Sequence, residues 1–288
     1  MSFAKILAPL TGGPRDAAVL ASAFAAARPF NAHVVALFVR PDPSLAMPFY
    51  GEGVSTVMVQ EVIAATKEAS DTAAQGAKAA LAVAAQAAGV AVTGGLEKRG
   101  APTASFQETL GNFADCVVQA ARLSDFVVFG PLKEGEHAGI TEAFEATLIE
   151  AGRPVLLSAR AAAANFCDRV AIAWNGSNAC AHAAMAALPY LKCAKSVEIL
   201  TVKRANADPV PTDELTDYLR LQGVAASTRS VDAGERAIGE VLLETAARDG
   251  AGLVVLGGYG HSRLRELFVS GVTRQVVGRA ELPLFLVH

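Results

Sequence analysis

The sequence has no basic tract. Its 25 Lys and Arg are dispersed among 28 Asp and Glu, giving a net charge of −3. Binding a phosphate backbone needs clustered cations, so nucleic acid is not expected as an obligate partner. Cysteine is scarce, and Cys116, Cys167, Cys180 and Cys193 show no Cys-x-x-Cys spacing, which argues against a metal site. Long apolar runs are missing too. The longest, residues 77–92, is mostly Ala and is interrupted by Lys78, Gln86 and Gly89. It reads as a packing helix, so no membrane partner is expected. The opening Met-Ser-Phe-Ala-Lys-Ile-Leu has no basic segment followed by a long apolar core and reads at once as a strand. Without an export signal the cysteines are expected to be free thiols in a reducing cytoplasm. No Ser-His-Asp arrangement or metal-binding carboxylate cluster stands out, so no catalytic residue is assigned.

Apolar residues make up 52% of the chain, enough for sizeable cores. Short apolar runs alternate with Ala-rich amphipathic stretches. Ile6–Leu10 reads as a strand, 11–14 as a turn, Asp16–Ala27 as a helix and Ala32–Val39 as a second strand. Strand, helix, strand with short connections is the unit of a parallel sheet. Residues 40–55 read as a loop. A helix follows to about Ala88 and stops at Gly89, a C-terminal glycine. Residues 90–98 read as a third strand, 103–122 as mainly helical, 125–130 as a fourth strand, 144–151 as a helix and 154–158 as a fifth strand.

After an Ala-rich linker the pattern returns. Residues 170–174 parallel the first strand, and 197–202, 224–231, 253–256 and 284–287 the other four. Gly89-Val-Ala-Val matches Gly223-Val-Ala-Ala, and Phe126-Val-Val-Phe-Gly matches Leu253-Val-Val-Leu-Gly. The expected fold class is α/β, as a tandem duplication of two open, mostly parallel five-stranded sheets with helices on both faces. The expected units are residues 1–160 and 161–288.

The stretch that carries functional information is Gly257-Gly-Tyr-Gly260, after the buried run Leu253–Leu256 and before a helix expected over 272–279. Glycines at a strand's carboxyl end let backbone N–H groups approach a ligand, and a helix start adds unpaired donors. Those parts suit a phosphate. The stretch resembles the nucleotide loop of the universal stress protein family, whose pattern is Gly, two residues, Gly, nine residues, then Gly-Ser or Gly-Thr. Gly257 and Gly260 match, whereas Ser270-Gly271 stands in reverse order. Both halves resemble domains of this family, the second more closely. The resemblance implies a Rossmann-like fold of the adenine nucleotide alpha hydrolase type.

It also implies site residues in the second half. Asn175 stands where the family has an Asp that ends the first strand and contacts adenosine. Asn keeps an acceptor oxygen, gains a donor and loses the charge; it also commonly ends a strand and opens a turn. Val202 matches a main-chain contact to adenine, and Leu256 and Gly257 the strand end near the ribose. Gly260, Ser270, Gly271 and Val272 match phosphate-binding positions. Ser270 reads equally as a helix N-cap. His261 and Arg263 read as cations closing over a triphosphate or as residues of a solvated loop, while Arg265 fits better in a surface pair with Glu266. In the first half Thr11 replaces the Asp, Gly130 has no second glycine at the right spacing, and Phe144-Glu145 replaces the Gly-Ser pair. That half is expected to be structural.

Two readings therefore stand. One is a stress-response sensor or adaptor with a single adenine-nucleotide site, ATP with magnesium, in the second half. The other is an interaction protein, a homodimer or a binder of another protein, that keeps the fold without the ligand. A slow ATPase is a third reading, with no general base to support it.

Overall fold

The computed structural model describes residues 2–42, 56–96, 100–132, 138–159, 165–204, 208–258 and 282–288. The first half runs β1 (Lys5–Leu10), α1 (Asp16–Ala27), β2 (His33–Pro41), α2 (Thr56–Ala88), β3 (Ala91–Thr93), β4 (Thr103–Gly111), α3 (Phe113–Ala121), β5 (Phe126–Phe129), α4 (Ala138–Ile149) and β6 (Val155–Leu157). The second runs β7 (Arg169–Ala173), α5 (Asn178–Ala186), α6 (Leu188–Cys193), β8 (Ser196–Lys203), α7 (Asp213–Leu221), β9 (Ala226–Asp232), α8 (Ile238–Arg248), β10 (Leu253–Gly257) and β11 (Leu284–Val287). No helix among the described residues is long and apolar enough to cross a membrane.

The α/β architecture, the mostly parallel sheet and the helices on both its faces are as expected. The repeated glycines have the same physical cause in both halves. Gly89 and Gly223 take positive φ, and the residue after each donates its N–H to a carbonyl five residues back, Val90 to Ala85 and Val224 to Leu219, both at 2.8 Å. That is a Schellman stop, which a side chain at the glycine would strain.

The arrangement of strands differs from expectation in two ways. The strands form one eleven-stranded sheet in the order β3-β4-β2-β1-β5-β6-β11-β10-β7-β8-β9. Every pair is parallel except β6·β11, where Leu157, Leu156 and Val155 face Leu284, Phe285 and Leu286. The two apolar edges cap each other, which removes two exposed strand edges. Outward from this joint both halves run fifth, fourth, first, second, third strand, with β4 as the third strand of the first half.

The second difference is β4 itself. Residues 103–111 were expected to be helical but form a strand paired with all of β2, from His33↔Thr103 to Pro41↔Gly111. The helix begins only at Phe113, where the Asn112 side chain accepts from the Asp115 N–H. The buried His33 imidazole explains the strand's sequence. It hydrogen-bonds Thr103 Oγ1 at 2.7 Å and Ser105 Oγ at 2.9 Å, the alternate residues of a strand facing it. The first half thus contributes six strands, because the expected third strand survives as the short, exposed edge β3.

Aromatic rings close the joint between halves. Tyr190 of α6 is fully buried among Phe3, Phe30, Phe126, Phe166 and Phe285, with ring centroids 5.0 to 6.2 Å from its own. Its hydroxyl donates to the Ala26 carbonyl of α1 at 3.0 Å. Burial holds this phenol well above its usual range, so it remains a donor. Both faces of the sheet carry cores that include residues of both halves. Phe285→Ala should therefore destabilise the whole chain by about 3–5 kcal/mol. In urea, fluorescence of the single Trp174 and far-UV circular dichroism should still fall together; unfolding of the Trp174 half alone would contradict a shared core.

The four cysteines are unpaired. Burial first, then neighbouring Cys193 and Asp168, push the Cys167 thiol up to about 11. It stays protonated at pH 8, whereas Cys193 is exposed. Since the thiolate is the nucleophile, iodoacetamide at pH 8 should label Cys193 well before Cys167, as read by peptide mass spectrometry.

Candidate functional site

The switch in strand order within the second half falls between β7 and β10, since the chain leaves β7 toward β8 on one side and returns on the other. Ligands of open α/β sheets sit outside the carboxyl ends of strands at such a point. Three expected residues converge there: Asn175 just after β7, and Leu256 and Gly257 at the end of β10. Val202 lies near the end of β8, one strand further along, half-buried and paired in register with Val231. Gly260, His261, Arg263, Ser270, Gly271 and Val272 lie outside the described residues.

The turn after β7 is locally determined. Trp174 donates its backbone N–H to Leu200 O at 3.0 Å and its indole N–H to Pro211 O at 2.8 Å, which pins the segment before α7 beside the strand end. Gly176 follows at φ +75°, a left-handed position. Ser177 caps α5 by accepting the Cys180 N–H at 3.3 Å. Asn175 accepts the Ser177 N–H and the Cys180 thiol, both at 3.0 Å, on its side-chain oxygen. A carbonyl oxygen has two lone pairs, so the acceptor that could have met adenosine is committed within the turn. Asn175 as a whole is exposed.

Gly257 has an equally local explanation. A Cβ there would lie 2.3 Å from Ala179 C and Cys180 N, the backbone of the first turn of α5. No side chain fits in that space, and the absence of one lets β10 and α5 touch. Asn175 and Gly257 thus meet the same element, the start of α5, and Cys180 is their common neighbour. Sequence reading had passed over Cys180; its place five residues after Asn175, in the first turn of a capped helix, was the available signal.

The same position in the first half is built differently. Thr11 offers no carboxylate, but buried Asp16 supplies one to the same turn. It accepts the Thr11 N–H at 3.0 Å, the Thr11 hydroxyl at 3.1 Å and the Gly12 N–H at 2.8 Å. Burial raises its pKa, and these hydrogen bonds oppose the rise. Helix α2 lies against the turn, with Ala73 O 2.2 Å from where a Gly12 Cβ would stand. Phe144, at the place of the family's phosphate-loop glycine, is buried edge-on to Phe129 at 5.9 Å. Among the described residues, no group of three or more His, Cys, Asp or Glu is placed to hold a metal.

Residues 167–288 match the profile of the Universal stress protein family. No curated protein gives a significant match. Among solved structures, a universal stress protein from Archaeoglobus fulgidus DSM 4304 superposes with a TM-score of 0.66 at 14% identity, over 98% of this chain and 97% of that one. A universal stress family protein from Burkholderia pseudomallei is 21% identical over 42% of this chain and 95% of that one, with a TM-score of 0.33. A universal stress protein in complex with cAMP is 22% identical over 42% of this chain and 97% of that one, with a TM-score of 0.31. The archaeal match extends the fold through both halves.

Gly257→Ala should cost about 1–3 kcal/mol through overpacking against α5, whether or not nucleotide is present. Gly130→Ala should cost less, because its added methyl would meet Val19 Cγ2 at an ordinary 3.6 Å. Urea midpoints of the two variants, each with and without ATP, would check both; equal losses would mean that packing does not select glycine at 257.

Proposed function

We propose that this chain, whose residues 167–288 match the universal stress protein family, works in the stress response as a sensor or adaptor with one adenine-nucleotide site, in its second half. The observation that carries this reading is the meeting of Asn175 and Gly257 at the switch point of the half that matches the family profile. In this proposal the exposed Asn175 NH2 donates to adenine or ribose, and the main chain at Val202 borders the base. Leu256 and Gly257 border the ribose. Gly260, His261, Arg263, Ser270, Gly271 and Val272 hold the phosphates of ATP and its magnesium. The first half, residues 1–160, takes no nucleotide, because Asp16 already occupies the N–H groups of its turn.

A second reading is favoured by the same two residues. The Asn175 oxygen is consumed by Ser177 and Cys180, and Gly257 is accounted for by α5. On that reading the chain is an interaction module, for another protein or a second copy of itself, and needs no nucleotide. Calorimetric titration with ATP and magnesium separates the two. The nucleotide reading expects a single site per chain, abolished by Gly260→Leu and untouched by Gly130→Leu. Ser270→Gly with Gly271→Ser restores the family order and should tighten binding about tenfold if Ser270 crowds a phosphate, one charge-assisted hydrogen bond being worth roughly 1.5–3 kcal/mol. No heat from either wild type or the swapped variant leaves the interaction module as the function, and two equal sites would overturn the assignment of the first half.

A further inference from the structure

We infer that the first half holds a separate binding site for an uncharged, mainly apolar small molecule, at the carboxyl ends of β1, β2 and β4. The inference is independent of the nucleotide reading, which concerns the other half. A cavity of about 690 Å³ opens there between the strand ends, α2 and the starts of α3 and α4. Its volume falls in the range of small-molecule pockets, roughly 300–1,000 Å³. Leu10, Phe38, Val39, Phe113 and Ile140 supply the apolar wall, and Ala69 and Ala73 of α2 supply a flat side facing it. The polar groups are few: the hydroxyls of Thr11, Thr66 and Ser70. An apolar body with a few convergent polar groups is the usual form of a ligand site.

The local charges do not favour an anion. In the turn after β1, the N–H groups that could receive an anion near a helix start are already used. Thr11 and Gly12 donate to the Asp16 carboxylate, and Gly13 donates to Thr11 Oγ1 at 3.3 Å. Arg40, near the end of β2, is held by Glu108 and Asp71 at 2.7 Å each and also reaches Ser70 Oγ at 3.5 Å. Lys78 is bound to the same Glu108. An anion would gain little from Arg40, Lys78 or the Thr11 and Gly12 N–H groups, which already have acceptors, whereas a neutral molecule needs only the hydroxyls. The crevice thus suits a ligand of different chemistry from a phosphate.

The test uses the full-length protein and the neutral dye Nile red, followed by its fluorescence. Saturable binding of one dye per chain is expected. Ala69→Trp fills the cavity from an exposed helix position, and Gly139→Leu narrows it from the opposite wall, where an added Cβ has ordinary 3.9 Å contact with Phe113. Each should weaken binding at least about tenfold, equivalent to about 1.4 kcal/mol, with an unchanged thermal midpoint. A second apolar groove lies between α1, α2 and Phe166 and is lined by the exposed Val83. Val83→Trp should leave dye binding intact, and so should excess ATP with magnesium. The inference is overturned if no saturable binding occurs, if the Ala69 and Gly139 variants both bind as wild type, if Val83→Trp removes binding, or if ATP competes.

Discussion

The antiparallel pairing of β6 with β11 is the contact on which the rest of the architecture depends. Each half alone would end its sheet in a short apolar edge, Val155–Leu157 in one and Leu284–Val287 in the other. Such edges invite pairing with any other strand. Here each edge finds its complement within the chain, and a parallel sheet of six strands meets one of five across three residue pairs. Three residue pairs make a short seam, and the aromatic cluster around Tyr190 reinforces it. Phe126 comes from β5, Phe285 from β11 and Tyr190 from α6, so the rings lock elements distant in sequence. The Tyr190 hydroxyl then ties α6 to the carbonyl of Ala26 in α1.

This mutual capping leaves the turns after β1 and β7 in matching positions and free to diverge in content. Because β6 and β11 run antiparallel, the carboxyl ends of the two parallel sets point to opposite ends of the sheet. In the second, the turn after β7 is held by an amide oxygen, and Gly257 lets a strand touch a helix start. In the first, a carboxylate five residues further along satisfies the turn, and a 33-residue helix lies against it through Gly12 and Ala73. Both turns meet the same requirement, that buried or half-buried N–H groups must find acceptors. The solutions differ in chemistry: an amide oxygen in one half, and a buried carboxylate in the other.

Much of the fold was legible in the sequence because its determinants are local. Alternation of apolar runs with amphipathic Ala-rich stretches specifies βαβ units, and Gly89 and Gly223 mark helix stops by the positive φ they permit. The error at Thr103–Gly111 shows the limit of such reading. Nothing within that stretch distinguishes a helix from a strand as clearly as His33 does, and His33 lies 70 residues away. A buried imidazole with two hydroxyl partners is a tertiary fact, and it outweighs local propensity.

The candidate site divides along the same line. Sequence by itself determined that an apolar strand ends in glycine at residues 253–257, that Asn175 follows the facing strand, and that the strand pattern of the first half returns in the second. Each of these is a matter of residue type and spacing. Only the tertiary structure decided what those residues spend their chemistry on. The Asn175 oxygen is taken by Ser177 and Cys180, Gly257 is required by the α5 backbone, and Asp16 fills the turn that lacks a carboxylate of its own. The reason is geometric. A hydrogen-bond acceptor or a missing Cβ has no assigned partner until distant elements are packed to within a few ångströms, and in this sheet that packing is set by which edges meet.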